Sequence, residues 1–235
     1  MQNRKKALVI VNPRSGRLKV GPQMFNIADY FTKNNIETTV YTTAGSGDAK
    51  RFAEQMAVEH DILVCRGGDG TLNEVINGLK LSGAAIPVGY IPAGTSNDFA
   101  NTVGIPTKAK RAIDLIVNGT AYQHDLGAYG DNGYFVYTAS FGIFTKASYA
   151  TSQNAKNIFG YPAYLAAGIP ELRHVKEYQL KITCDGRETE GKYIFGAVTN
   201  SLVVGGIIHY DRDIVDFNDG KFEFILAKKP ATARG

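Results

Sequence analysis

Cysteine is scarce in this chain: there are two in 235 residues, Cys65 and Cys184. That excludes a disulfide-stapled secreted scaffold, and two buried free thiols in a reducing compartment are expected. No stretch approaches the roughly 20 apolar residues of a membrane-spanning helix. The opening MQNRKKALVIVNP has the basic start of a signal peptide, but Asn12 and Pro13 stop its apolar run too early. A cytoplasmic chain with no transmembrane segment is expected. Neither sign of charge dominates, with Lys+Arg 26 against Asp+Glu 22, net +4 and pI about 8.9. An ordinary, mildly basic protein fits that balance, a basic face toward an anionic ligand is permitted, and no nucleic-acid partner is expected. There is no internal repeat and no low-complexity tract.

Two nucleotide-binding signatures are also missing. GxxxxGK[ST] does not occur, so there is no Walker-A loop, and GxGxxG read from Gly68 meets Gly70 but then Asn73.

What the chain does have is 26 glycines and an alternation of strand and helix patterns through its first half. ALVIV (residues 7–11) is a continuous apolar run, as in a strand covered on both faces. Met24, Ile27, Ala28 and Phe31 recur at helical spacing between Pro22 and Asn34. ETTVYTT (37–43) is a second strand, and Asp48 is expected to N-cap a helix carrying Phe52, Ala53 and Met56. DILVC (61–65) is a third strand. Thr71 and Glu74 then read as a capping box before the stripe Leu72, Val75, Ile76 and Leu79. IPVGYI (86–91) is a fourth strand, followed by a short helix at 98–102 and a longer one at 110–117. This order predicts an α/β domain with a parallel sheet and helices on both faces. From about Ala121, GYFVYTASFG, YQLKITCDG, GKYIFGAVTNS and GKFEFILAKK are strands separated by Gly/Asp/Asn turns, with one helical stretch at 161–172. A second, mainly antiparallel β domain is expected, dividing the chain into residues 1–122 and 123–235. Tyr129, Tyr134, Tyr137 and Phe141 are expected in its core. His124 is given no role.

Ligands of open α/β sheets bind beyond the carboxyl ends of the strands. NPRSG (12–16), Thr42-Thr43, GGDGT (67–71) and PAGTSND (92–98) all fall at such ends. Any one is an ordinary βα turn; four on one edge point to a ligand. Glycines and helix N-termini suit a phosphate. Asp69 lies between glycines and caps nothing obvious, and a bare carboxylate against polyphosphate is repulsive. A Mg²⁺ ion between them reverses the sign, because such an ion takes one or two carboxylates together with phosphate oxygens and water. Asp98 is the second candidate, equally well explained as a charge in a first helical turn. Asp125, in HDLG, is the third.

NPRSG, GGDGTLNEVING and PAGTSNDFA, in this order, resemble the diacylglycerol kinase catalytic-domain family, which includes soluble bacterial lipid kinases and the catalytic domains of sphingosine and ceramide kinases. GGDGT alone is shared with NAD kinases and phosphofructokinases. The resemblance implies an NAD-kinase-like first domain, a β-sandwich second domain, and transfer of the ATP γ-phosphate to a lipid hydroxyl met transiently at a membrane surface. It implies that Asn12, Pro13, Arg14, Ser15, Gly16, Thr43, Gly67, Gly68, Asp69, Gly70, Thr71, Leu72, Asn73 and Thr95 line the nucleotide site. Asp69, Asp98 and Asp125 would form the acidic network around the catalytic Mg²⁺. A second, structural Mg²⁺ would be held by Asp219 through its side chain and by Asp216 and Lys221 through their carbonyls. NxxxGG (200–206) and NDGKFEFIL (218–226) fit the family's second domain, whereas 207–220 lacks the proline usual there. The family's general base lies in a DGE segment. This chain has only Asp185-Gly186-Arg187 and Asp219-Gly220-Lys221, so the base is expected on residues beyond those given. Two other readings stay open: a kinase for a different acceptor, such as a sphingoid lipid or NAD, and a nucleotide- or lipid-sensing module without turnover. A homodimer is compatible with the sequence.

Overall fold

The structure is a computed structural model that describes residues 4–16, 20–131, 133–142, 176–204 and 208–229. In chain order the first half contains β1 (Lys5–Val11), α1 (Val20–Lys33), β2 (Ile36–Thr42), α2 (Asp48–Met56), β3 (Ile62–Gly67), α3 (Asp69–Ser82), β4 (Val88–Pro92), α4 (Asp98–Val103) and α5 (Ala109–Asn118). The four strands make one parallel sheet in the order β2-β1-β3-β4.

Residues 7–11 of β1 are all fully buried because the sheet is covered on both faces. Ala7, Val9 and Val11 point to the α1/α5 side with Ile27, Phe31 and Ile113, while Leu8 and Ile10 point to the α2/α3 side with Ala53, Val75 and Leu79. Each such aliphatic side chain contributes roughly 1.5–3 kcal/mol on burial. On the second side α2 and α3 approach so closely that a Cβ on Gly78 would lie 2.1 Å from the Lys50 carbonyl oxygen.

Register determines where ligands can go. Val11 pairs with Thr42 on one side and Arg66 on the other, and Gly67 pairs with Pro92. All four carboxyl ends are therefore flush. The chain runs from β1 outward to β2, then back across β1 to β3, so the topological switch lies between the ends of β1 and β3.

The second half contains β5 (Gly127–Tyr129), β6 (Gly133–Phe135), β7 (Thr138–Gly142), β8 (Tyr178–Cys184), β9 (Arg187–Tyr193), β10 (Phe195–Thr199), β11 (Val203–Val204), β12 (Ile208–His209) and β13 (Glu223–Ala227). Every pairing described here is antiparallel: a β13-β10-β7 sheet and the pairs β5–β6, β8–β9 and β11–β12. The helix expected at 161–172, like residues 205 and 206 of the NxxxGG run, lies outside the described residues.

Polar contacts join the two halves. Asn77 of α3 acts like a strand residue toward β6, accepting from the Tyr134 amide (2.9 Å) and donating to the Tyr134 carbonyl (2.9 Å). The Thr102 and Ser201 hydroxyls, both buried, bond at 2.9 Å. His124 stacks on Phe217 and meets Phe99 edge-on.

Two expectations about burial are corrected. Cys65 is buried, but Cys184 is exposed, because it ends β8 in a hairpin that is largely solvated. Tyr129 is 56% exposed rather than in a core, and Tyr134, Tyr137 and Phe141 are half-buried. The buried residues of that stretch are Phe135 and Val136, and Tyr137 packs against the core of the first half. Among the described residues no helix is long and apolar enough to cross a membrane.

Candidate active site

The edge formed by the carboxyl ends of β1, β3 and β4 is assembled from loops tied to one another by side chain to main chain bonds. After β1, Asn12 turns its side chain carbonyl to the Arg14 amide (3.0 Å) and donates its amide to the Thr71 hydroxyl (3.1 Å). Its main-chain amide donates to the Arg66 carbonyl at 2.9 Å. Pro13, Arg14 and Gly16 are exposed, and Ser15 is half-buried with its amide on the Asn12 carbonyl (3.2 Å). Thr43, half-buried after β2, donates its amide to the Val11 carbonyl at 2.9 Å.

After β3 the turn is shorter than the sequence suggests. Helix α3 begins at Asp69, with Gly68 as an uncapped N-cap, so Asp69 is the first helical residue rather than the centre of a loop. The expected Thr71/Glu74 capping box does not form. Thr71 is engaged by Asn12, and Glu74 reaches instead to the β2–α2 loop, accepting from the Gly47 amide (3.0 Å) and the Ser46 hydroxyl (3.2 Å). Asp48 likewise does not cap its own helix. It folds back onto the Ala44 and Gly45 amides at 2.8 and 3.0 Å. Its Arg51 partner and those amides pull its pKa down to about 2.

The Asp69 carboxylate also has a partner that local sequence could not show. It accepts from the amides of Asp98 (3.1 Å) and Phe99 (3.3 Å), and so caps α4 from another loop. Burial raises its pKa above the usual carboxylate value, and these amides offset part of that rise. The Asp98 amide reaches one carboxylate oxygen and the Phe99 amide the other. Asp98, half-buried, is brought beside Asp69 through this peptide contact. Asp125 is not gathered into a cluster with them. Its carboxylate accepts from the Gly220 amide, and its own amide donates to the Phe217 carbonyl (2.8 Å). No group of three or more metal-ligating side chains converges among the described residues.

The glycines fall into two kinds. Gly68 and Gly94 abut across the β3 and β4 loops: a Cβ on Gly94 would lie 2.6 Å from the Gly68 Cα. Gly67 is crowded by Thr71, and its carbonyl accepts from the buried Tyr90 hydroxyl at 3.2 Å. Gly70 differs, because a Cβ there would meet nothing within 4 Å. No feature of the described protein requires a glycine at that helical position. The first intrahelical bond of α3 runs from the Leu72 amide to the Gly68 carbonyl (3.0 Å), so the amides of Asp69, Gly70 and Thr71 precede it. A glycine with open space beside first-turn amides is what close approach of an anion requires. Asn73 is half-buried and Thr95 exposed. The Leu72 side chain is turned into the core, 2% exposed. The β4 loop is held by Asn97 in the left-handed region (φ 51°), whose side chain accepts from the Gly94 amide at 2.7 Å.

In the 216–221 loop, Asp216 accepts from the Asn218 amide (3.1 Å) and Asp219 from the Lys221 amide (2.9 Å), while the Lys221 ammonium lies 3.8 Å from the other Asp219 oxygen. Carboxylate and carbonyl oxygens are the donors Mg²⁺ prefers.

Sequence reasoning missed two residues. Asn77 carries no local signal, because a polar residue on a helix is ordinary. Arg66 does carry one, because a charge inside the otherwise apolar strand ILVCRGG is a signal in itself. Arg66 is 1% exposed. Its guanidinium donates twice to the Gln23 side chain oxygen, from Nε (2.9 Å) and Nη2 (2.6 Å), and once to the Asn12 carbonyl (3.4 Å).

Comparison with known proteins matches residues 6–129 to a family model described as the diacylglycerol kinase catalytic domain. The diacylglycerol kinase of Bacillus subtilis (strain 168) is 34% identical over 227 residues, covering 96% of this chain and 74% of that protein. The diacylglycerol kinase of Staphylococcus aureus (strain MRSA252) is 35% identical over 231 residues, covering 96% of this chain and 71% of that protein. A crystal structure of a putative diacylglycerol kinase from Bacillus anthracis str. Sterne superposes with a TM-score of 0.77 at 26% identity, covering 97% of this chain and 76% of that one.

Proposed function

The chain belongs to the diacylglycerol kinase catalytic-domain family, and from that premise we propose that it transfers the γ-phosphate of ATP to a lipid hydroxyl, that of diacylglycerol. The observation that carries the proposal is Gly70, a helical glycine with open space beside it and first-turn amides around it. The ATP phosphates lie against the amides of residues 69–71, flanked by the 12–16 loop, Thr43, Asn73 and Thr95. Phosphoryl transfer asks a protein chiefly for positioning and charge neutralisation, and the edge is built for the first. Asn12 locks the β1 loop to α3, and Asp69 locks α3 to α4.

Mg²⁺, when bound, neutralises phosphate oxygens. Asp69 and the neighbouring Asp98 would hold it, and Asp125 would join through water. Asp219, with the carbonyls of Asp216 and Lys221, would hold the structural ion. Residues 1–122 form the nucleotide-binding domain and 123–235 the second domain, and the acceptor hydroxyl enters between them from a membrane surface touched peripherally. None of these residues is assigned the acceptor's proton.

The test is ATP consumption with diacylglycerol in mixed micelles, with a sphingoid base in the same micelles, and with NAD. Diacylglycerol should drive the fastest turnover and yield phosphatidic acid. Turnover driven by NAD, or none with any lipid acceptor alongside tight ATP binding, would overturn the proposal.

A further inference from the structure

Arg66 is an expensive residue for its position. Its neighbour on the same face of β3, Val64, belongs to the apolar layer between the sheet and α1. An arginine there is charged at any ordinary pH. Burying a charge without a counter-ion is strongly unfavourable, yet the guanidinium's side chain and carbonyl partners, Gln23 and Asn12, are both neutral. No carboxylate forms an ion pair with it among the described residues. The surroundings increase the imbalance. Gln23 stands near the start of α1, the positive end of that helix dipole. A leucine or methionine would fill the same space at lower cost.

The position shows what offsets that cost. Arg66 immediately precedes Gly67 and Gly68, and its carbonyl accepts the amide of Asn12 while its side chain holds the Asn12 carbonyl. It sits at the topological switch between β1 and β3, beneath the two loops that would flank a nucleotide. A charge in a low-dielectric layer is screened little by solvent, so its field reaches anions at the edge. We propose that Arg66 is a positioning residue for the nucleotide: a buried counter-charge that favours the ATP phosphates and fixes the Asn12 loop, with Gln23 kept neutral so that no carboxylate pairs with the guanidinium directly. The proposal rests on the reading that ATP binds at this edge.

A counter-charge makes a graded demand that a packing role does not. Its loss should weaken ligands in proportion to their negative charge. The experiment measures dissociation constants for ATP, ADP, AMP and adenosine by titration calorimetry on the full chain, for wild type, Arg66→Met, Arg66→Lys and Gln23→Glu, with unfolding midpoints for each. In Arg66→Met, adenosine should change by less than about twofold, with losses growing through AMP and ADP to about tenfold or more for ATP, as for a unit charge at intermediate effective dielectric. Arg66→Lys keeps the charge and should keep the wild-type grading, with a uniform loss from the missing fork.

Gln23→Glu is the decisive variant, because it supplies the missing carboxylate and leaves every residue of the nucleotide loops in place. It should unfold at a higher temperature than wild type and bind ATP more weakly, with the same grading. Should Arg66→Met fail to fold, Gln23→Glu alone carries the test. Equal losses for all four ligands, or a Gln23→Glu protein that binds ATP as wild type does, would overturn the proposal. Wild type that binds no ATP, or a Gly70→Val protein that binds it normally, would instead overturn the placement of the nucleotide.

Discussion

Replacing Gly70 by alanine should move stability and function in opposite directions. Gly70 is the second residue of α3, and a Cβ built on it has open space out to 4 Å. The substitution therefore introduces no clash. Alanine is favoured over glycine in a helix by roughly 0.5–1 kcal/mol, partly by restricting the unfolded chain. For a chain of this size that is a rise in midpoint of about 1–4 °C. The same methyl group occupies the space through which a phosphate would reach the first-turn amides. Losing one hydrogen bond to a charged acceptor costs about 1.5–3 kcal/mol, which is roughly a ten- to hundredfold weakening of ATP binding.

Gly94→Ala is the contrast. Its Cβ would lie 2.6 Å from the Gly68 Cα and 3.0 Å from the Asn97 Oδ1, and main chain cannot rotate away. That variant should lose about 1–3 kcal/mol, as overpacked sites do. Differential scanning calorimetry and ATP titration on both variants suffice. A Gly70→Ala protein that is destabilised, or that binds ATP as wild type does, would refute the reasoning, because Gly70 would then serve the fold.

Three further outcomes are expected. Asp69→Asn should cut turnover at least about a hundredfold. Because the Asp69 pKa is raised in the folded state, the folded protein takes up its proton first, and the carboxylate opposes folding once pH rises past that pKa; wild type should therefore gain stability relative to Asp69→Asn as pH falls from 7 toward 4, and the opposite trend would contradict the assignment. Asn77→Leu leaves the Tyr134 amide and carbonyl without their α3 partner, and the denaturation midpoint should fall by the equivalent of about 2–4 kcal/mol; an unchanged midpoint would show that the α3–β6 link contributes nothing. His124 is held neutral by burial between Phe99 and Phe217, its pKa depressed below 6.5, and its Nε2 has no partner among the described residues; the stability it contributes is present above pH 6.5 and is lost as pH falls below it, so His124→Phe should flatten the stability profile between pH 6.5 and 5.

The first half was legible in the sequence because its signals are repetitive. A strand buried on both faces must be apolar throughout, as residues 7–11 are, and helices facing a sheet must carry one stripe. The convergence of four strand ends followed from topology alone. The side-chain partners at that edge did not, because capping rules look three residues ahead while the acceptors here work across loops. Glu74 serves Gly47, 27 residues away, and Asp69 serves Asp98, 29 residues away. Reading Asp69 as an acid with nothing to cap failed for this reason. In the second half the strands are largely half-exposed, so alternation placed Tyr129 inside, and the default of a buried thiol placed Cys184 inside, when the hairpins carrying them are solvated.

The charges fixed at the edge also decide how the nucleotide can be held. In the proposed placement Asp69 and its neighbour Asp98 bring two negative charges to this edge, and Arg66 brings one buried cation. The α3 N-terminus adds about half a positive charge. These groups roughly cancel or leave a small negative remainder, so the protein alone cannot attract a polyanionic tail, and a divalent ion has to supply the difference. Arg66 then acts on the size of the affinity and the divalent ion on its existence. Stripping divalent cations with EDTA should weaken ATP binding in wild type more than in Asp69→Asn: the asparagine variant, with one fewer negative charge, should retain more residual affinity for metal-free ATP. If metal-free ATP binds wild type as tightly as it does with Mg²⁺, the charge balance at this edge is misjudged, and Asp69 serves only to cap α4.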